Sequence, residues 1–104
     1  MINEKIVKSN VSVDLKRQTL YNGTVTRVIS LAVNEEPTQY DFTFGSNNRI
    51  LMATVSQAWP NSTWTGALVT VSRITISNNV VSVWLSTNHT QAYTIGVTGI
   101  YHLA

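Results

Sequence analysis

Apolar residues recur at every second position through most of this chain, and the i, i+3, i+4 spacing of an amphipathic helix is nearly absent. "VSVDL" alternates Val11, Val13 and Leu15; "TQYDFTFG" alternates Tyr40, Phe42 and Phe44; "NVVSVWLST" sets Val81, Val83 and Leu85 against Ser82, Trp84 and Ser86. "ILMATVSQAW" puts Leu51, Ala53, Val55 and Gln57 on one face, with a half-apolar face of Ile50, Met52, Thr54 and Ser56 behind it. Successive side chains of a strand point to opposite sides, so each run has one face for a core and one for solvent.

Asn22-Gly23 and Asn78-Asn79 sit between apolar runs and are residues that tolerate the positive φ of two-residue hairpin turns. In "LVTVSRITIS", Val69 and Val71 occupy odd positions but Ile74 and Ile76 even ones, so the phase slips at Ser72-Arg73. One extra residue flips every later side chain, which predicts a β-bulge or strand break there. "AVNEEPTQ" is an acidic loop around Pro37. Seven or eight short strands in about 100 residues imply an all-β fold, an antiparallel sandwich or small barrel. The chain of 104 residues has room for one core. We therefore expect a single β-sandwich domain over 1–104, with residues 1–10 as a flexible or inter-subunit N-terminal segment.

Stability must come from packing or association, because cysteine is absent and with it any disulfide or thiolate metal site. Charged residues are only 12%, against about 25% in ordinary soluble domains, so hydroxyls and amides must face the solvent. A formal net charge of +2 is too small for the basic face that nucleic acid requires. Four of the cations, Lys5, Lys8, Lys16 and Arg17, cluster near the start, which reads as a solvated segment. The opening residues have no apolar stretch of signal-peptide length, and no run of 18 apolar residues spans a bilayer.

Catalysis finds no foothold. There is no G-x-S-x-G elbow, phosphate loop, H-E-x-x-H pair or paired-carboxylate spacing. Glu35 and Glu36 are adjacent on a loop and read as solvated; His89 and His102 lack a third ligand for a metal. The sequence therefore implies a protein that is not an enzyme and has no cofactor. Four N-x-[ST] sequons begin at Asn10, Asn22, Asn61 and Asn88, but so Asn-, Ser- and Thr-rich a chain produces such matches by accident.

Binding fits better. A carbohydrate offers hydroxyls on its edges and apolar C–H faces, so its site needs an aromatic platform beside polar side chains. "QAWPNSTWTGA" carries Trp59 and Trp64 around a turn-forming Pro60-Asn61-Ser62-Thr63, while "SNNR" and "TNHT" supply Asn47, Asn48, Arg49, Asn88 and His89. Trp59 continues the Leu51-to-Gln57 face, which places it in the core and leaves Trp64 as the outward platform. Trp84, opposite Val83, is expected against the other sheet or a neighbouring subunit.

The C-terminal "VSVWLSTNHTQAYTIGVTGIYHLA" resembles the last two strands of the H-type lectin domain, which carries a T-W-x-D-T-x-x-Y segment and a closing V-x-W-I-A strand. Thr90 and Tyr93 fall on T-x-x-Y, and Val97 and Ile100 on the closing strand; Thr87, His89 and Gly99 replace the motif's tryptophan, aspartate and final tryptophan. "ILMATVSQ" and "VTVSRITISNNVVSVWL" follow the order of that fold's central strands, and "TLYNGTVTRVISLAVNEEPTQYDFTF" is similar to the opening of the related tips of phage tail fibres and tailspikes.

The resemblance implies a six-stranded antiparallel sandwich that assembles as a homotrimer at the end of a tail fibre or tailspike. It also implies a virion location, synthesis in the host cytoplasm, and a host cell-surface glycan as partner, with no nucleic acid and no membrane. The expected contact residues are Trp64, Arg49 and His89, with Asn61 and Asn48 beside them; the expected interface residues are Trp84, Tyr93 and Tyr101. The rival expectation is a structural trimerisation or folding module without a ligand site, sealed by Trp84, Tyr101 and the apolar C-terminal strand.

Overall fold

A computed structural model describes residues 19–33, 36–62 and 65–104. The predicted strand at 11–15 and the segment 1–10 lie outside these residues, as do Glu35 and Trp64. Six strands follow one another: β1 (Tyr21–Leu31), β2 (Thr38–Thr43), β3 (Asn48–Pro60), β4 (Val69–Ser77), β5 (Val80–Thr87) and β6 (Gln91–Leu103). They form two antiparallel three-stranded sheets, β1-β6-β3 and β2-β5-β4, hereafter sheets A and B. The described part is all-β and sandwich-like, without helix.

The core lies between the two sheets. Sheet A contributes Ile29, Leu31, Ile50, Tyr93, Ile95 and Val97, and sheet B with its flank contributes Phe42, Phe44, Val81, Val83 and Leu85. The alternating residues of β5 are the ones that point inward, and burying each such side chain stabilises the fold by roughly 1.5–3 kcal/mol. Tyr40, Phe42 and Phe44 follow the same rule across the β2 edge.

The β4–β5 hairpin turns at Asn78-Asn79, with Asn78 at φ 54°, as those asparagines predict. Its tip closes one end of the sandwich: Asn79 Nδ2 donates to the Phe44 carbonyl at 2.9 Å, and the Ile50 amide donates to the Asn78 carbonyl at 2.9 Å. The predicted phase slip is a register shift between Val71 and Arg73, with Ser72 as the additional residue.

Three expectations are overturned. Asn22-Gly23 is no turn but lies inside β1, where Gly23 pairs with Gly99. A Cβ on Gly23 would stand 3.6 Å from the Tyr101 ring, an ordinary contact. The single face Leu51-Ala53-Val55-Gln57 does not exist, because β3 has register shifts between Ile50 and Met52 and between Val55 and Gln57. Leu51 and Ser56 are the additional residues, and each reverses the alternation. Trp59 therefore pairs with Thr94 on the outer face of sheet A and is 48% exposed, not core.

Candidate functional site

Two ends of the sandwich must be distinguished. At one, the stem end, the chain enters β1 at Tyr21 and β6 finishes at Leu103, with the Asn78-Asn79 tip beside them. At the other, the loop end, the 60–68 and 87–91 connections meet.

Hydrogen bonds weld those two loops into one surface. The Asn61 amide donates to the Ala92 carbonyl at 3.0 Å, prolonging the β3–β6 ladder past Pro60. The Leu68 amide donates to Asn88 Oδ1 at 2.8 Å, and Asn88 Nδ2 donates to the Gly66 carbonyl at 2.7 Å. Gln91 Oε1 accepts from both the amide and the hydroxyl of Ser62, at 2.8 and 2.9 Å. That double acceptance fixes which way the Gln91 carboxamide faces. Its nitrogen then lies 3.4 Å from His89 Nδ1, which ties the imidazole to the same surface.

Tyr93 is the post on which this end stands. Its ring is fully buried, and its hydroxyl reaches Thr87 Oγ1 at 2.5 Å and the His89 carbonyl at 2.6 Å. The same threonine oxygen lies 2.8 Å from the Leu68 carbonyl and accepts from the His89 amide at 3.2 Å. A tyrosine hydroxyl bonded to a carbonyl a few residues upstream braces a corner in other β-sandwiches as well.

On the adjoining outer face of sheet A, Trp59, Thr94 and Val28 form one rung across the three strands. Trp59 is half-exposed and Val28 is 64% exposed. Asn61 follows Trp59 two residues on; its Oδ1 accepts from the Thr94 hydroxyl at 2.9 Å, which leaves its NH2 as a donor. The next rung toward the stem is Gln57, Gly96 and Thr26. A Cβ on Gly96 would come within 3.2 Å of Gln57 Cβ, so the Gln57 side chain lies close over this glycine. An indole, a threonine methyl and a valine thus make an apolar strip edged by amides and hydroxyls. Such a strip can stack against a flat C–H face while its rim hydrogen-bonds the hydroxyls around it.

The expected contact residues divide between the two ends. Asn61 and His89 belong to the loop end and are brought together through Ser62 and Gln91. Arg49 and Asn48 begin β3 at the stem end, roughly 35–40 Å away at about 3.3 Å per strand residue, so the five expected contact residues are not gathered at one place. Arg49 spends its guanidinium locally, donating to the Ser46 and Asn48 carbonyls, each at 3.1 Å. His102, paired with Arg49, is likewise a whole β6 length from His89. Among the described residues no group of three His, Cys, Asp or Glu could hold a metal.

The expected interface residues are also re-placed. Tyr93 belongs to the core, so its ring is not available to a second subunit. Trp84 is half-buried on the outer face of sheet B, not against sheet A, with the Arg73 guanidinium 4.9 Å over its ring. Tyr101 stacks on Tyr21 at 5.6 Å and tilts against Phe44 at 6.5 Å. The C-terminal strand itself is central, hydrogen-bonded to β1 on one side and β3 on the other. Sequence reasoning missed Val28, Thr94 and Gln91. The signal for Val28 was available: it is a large apolar residue out of phase with Ile29 and Leu31.

No family model, no curated protein and no solved structure matches this chain.

Proposed function

We propose that the protein is a non-catalytic recognition domain that binds carbohydrate on a host surface, the receptor-binding tip of a phage tail fibre or tailspike acting as a homotrimer. The observation that carries this reading is the half-exposed indole of Trp59, level with Thr94 and Val28 and beside Asn61, Ser62 and the His89 turn. An indole costs free energy to hold in water, and at this position it faces a polar rim that suits a sugar. The C-terminal resemblance to H-type lectins supports the same class of ligand, and the six strands agree in number with the sandwich it implies.

The layout of the chain also favours a tip. The start of β1 at Tyr21 and the end of β6 at Leu103 lie side by side at the stem end, so a copy or fibre that meets the domain there leaves the loop end open. A shallow stacking site is weak by itself. Three copies on one fibre raise the avidity by a factor on the order of 100 where the geometry permits simultaneous contact.

The test is retention of the protein on a panel of bacterial surface polysaccharides, with Trp59→Ala as the variant. Binding to at least one polysaccharide, reduced tenfold or more by the substitution at unchanged thermal stability, supports the reading. Retention on none of them, or wild-type retention by Trp59→Ala, refutes it.

A further inference from the structure

The outer face of sheet A exposes apolar surface at a second place, the stem end. There the bulge at Leu51 turns two consecutive apolar side chains to solvent, Leu51 at 53% and Met52 at 61% exposure. Met52 pairs with Ile100, which pairs in turn with Asn22, and Leu20, 58% exposed, precedes Tyr21 on the neighbouring strand. Beside these residues a depression of about 250 Å³ opens between Met52, Ala53, Thr54, Thr98 and Ile100.

We infer that this patch is where a second copy of the chain docks, the protruding Leu51 and Met52 of one copy meeting the depression of another. The inference rests on the association contained in the reading above and assigns a surface to it. Leu20, Leu51 and Met52, each more than half exposed, present on the order of 300 Å² of largely apolar area between them. One side of a standard interface buries about 800 Å², a little over half of it apolar, so the patch supplies the larger part of the apolar area one partner needs.

Its chemistry selects the partner. Arg49 is the only Lys, Arg, Asp or Glu among the described residues on this end of the face, and its guanidinium is held by two carbonyls of its own chain. Among the described residues this end of the face is thus nearly neutral, which suits a copy of the same surface better than a charged partner. The polar rung bordering the patch is closed on itself: Thr24 and Thr98 lie 2.7 Å apart, Thr98 donates to Ser56 at 2.8 Å, and Ser56 donates to the Gly96 carbonyl at 3.4 Å. One directed chain of donors satisfies these three hydroxyls, so covering this part of the border loses no hydrogen bond among them. Knob and hole lie next to each other on β3, so a single surface provides both halves of the contact. Association here also leaves the Trp59 strip open at the other end.

Sedimentation velocity on the full 104-residue chain tests this, over a micromolar concentration range. The expected result is a self-associating wild type, association weakened at least tenfold by Met52→Lys and by Leu51→Lys at unchanged circular dichroism, and wild-type association for Val28→Lys on the same face. Leu51 lies outside the strand pairing, so its variant keeps the test decisive should Met52→Lys not fold. A wild type that is monomeric throughout overturns the proposal, as does association that survives both stem-end lysines. Polysaccharide retention measured on the same samples separates the two ideas. An associating protein that binds no glycan loses only the recognition reading; a monomeric one that binds loses this interface and the trimer with it, and keeps the recognition.

Discussion

At the loop end the Tyr93 hydroxyl donates to the His89 carbonyl at 2.6 Å and accepts from the Thr87 hydroxyl. Tyr93 is the member that reaches this point from the core, and removing its hydroxyl leaves the ring packing intact. Tyr93→Phe is therefore expected to cost about 1–2 kcal/mol in a urea titration, the range for a hydrogen bond lost at a part-buried carbonyl. A larger cost would mean that the 87–91 loop needs the hydroxyl to fold at all. Asp41 provides the pH counterpart. Its carboxylate accepts from Ser82 at 2.7 Å and from Gln39 at 3.0 Å, and these bonds, with Arg27 nearby, hold its pKa below the ordinary aspartate value. A depressed carboxylate stabilises the fold above its unfolded pKa and loses that contribution as pH falls through the folded one. Stability should thus decline as pH drops below about 4, and Asp41→Asn should decline less over the same range, as followed by thermal melting. The effect is small, because the carboxylate is exposed and solvent screens it.

At the level of strands, alternation was legible wherever a polar residue stood between apolar ones, and illegible elsewhere. Val81, Val83 and Leu85 are interrupted by Ser82 and Trp84, and they are buried as their spacing predicts. The bulge at Ser72 was legible because β-branched residues on both sides of it keep opposite phases. The bulge at Leu51 was not, since Ile50, Leu51 and Met52 are all apolar and no contrast marks the extra residue. Neither was the one at Ser56: after it the large apolar Trp59 takes the outward phase and the small Ala58 the inward one, so the pattern favours the wrong face. That silent bulge decides where the indole goes. Deleting Ser56 should restore the unbroken phase and drive Trp59 toward the core while turning Ala58 and Pro60 outward. An indole in place of Ala58 overpacks its side of the core, so we expect a partly unfolded protein, with urea midpoint and tryptophan emission both shifted. Emission and midpoint like those of the wild type would show that the register of β3 is set by something other than its residue count.

Across the whole molecule, the question is which loops share an end, and this the sequence could not answer. Four of the five connections pass from one sheet to the other, and only β4–β5 is a hairpin, so neighbours in sequence are seldom neighbours in space. Polar loops around Asn48, Asn61 and Asn88 looked equivalent as candidates for one site. The antiparallel run of β3 separates the first from the second by its full length, while β6 returns the third to the second. A binding surface confined to the loop end makes a sharp distinction between residues of similar chemistry. Asn61→Ala removes the donor beside Trp59 and the acceptor of Thr94, and it should weaken polysaccharide binding severalfold in calorimetry. Arg49→Ala removes a far stronger hydrogen-bonding group, yet it should leave the single-site affinity unchanged, because no residue at the stem end touches a ligand stacked on Trp59. The reverse order of effects would place the ligand at the start of β3, next to Met52, and make the apolar stem patch part of the binding site instead of a contact between copies.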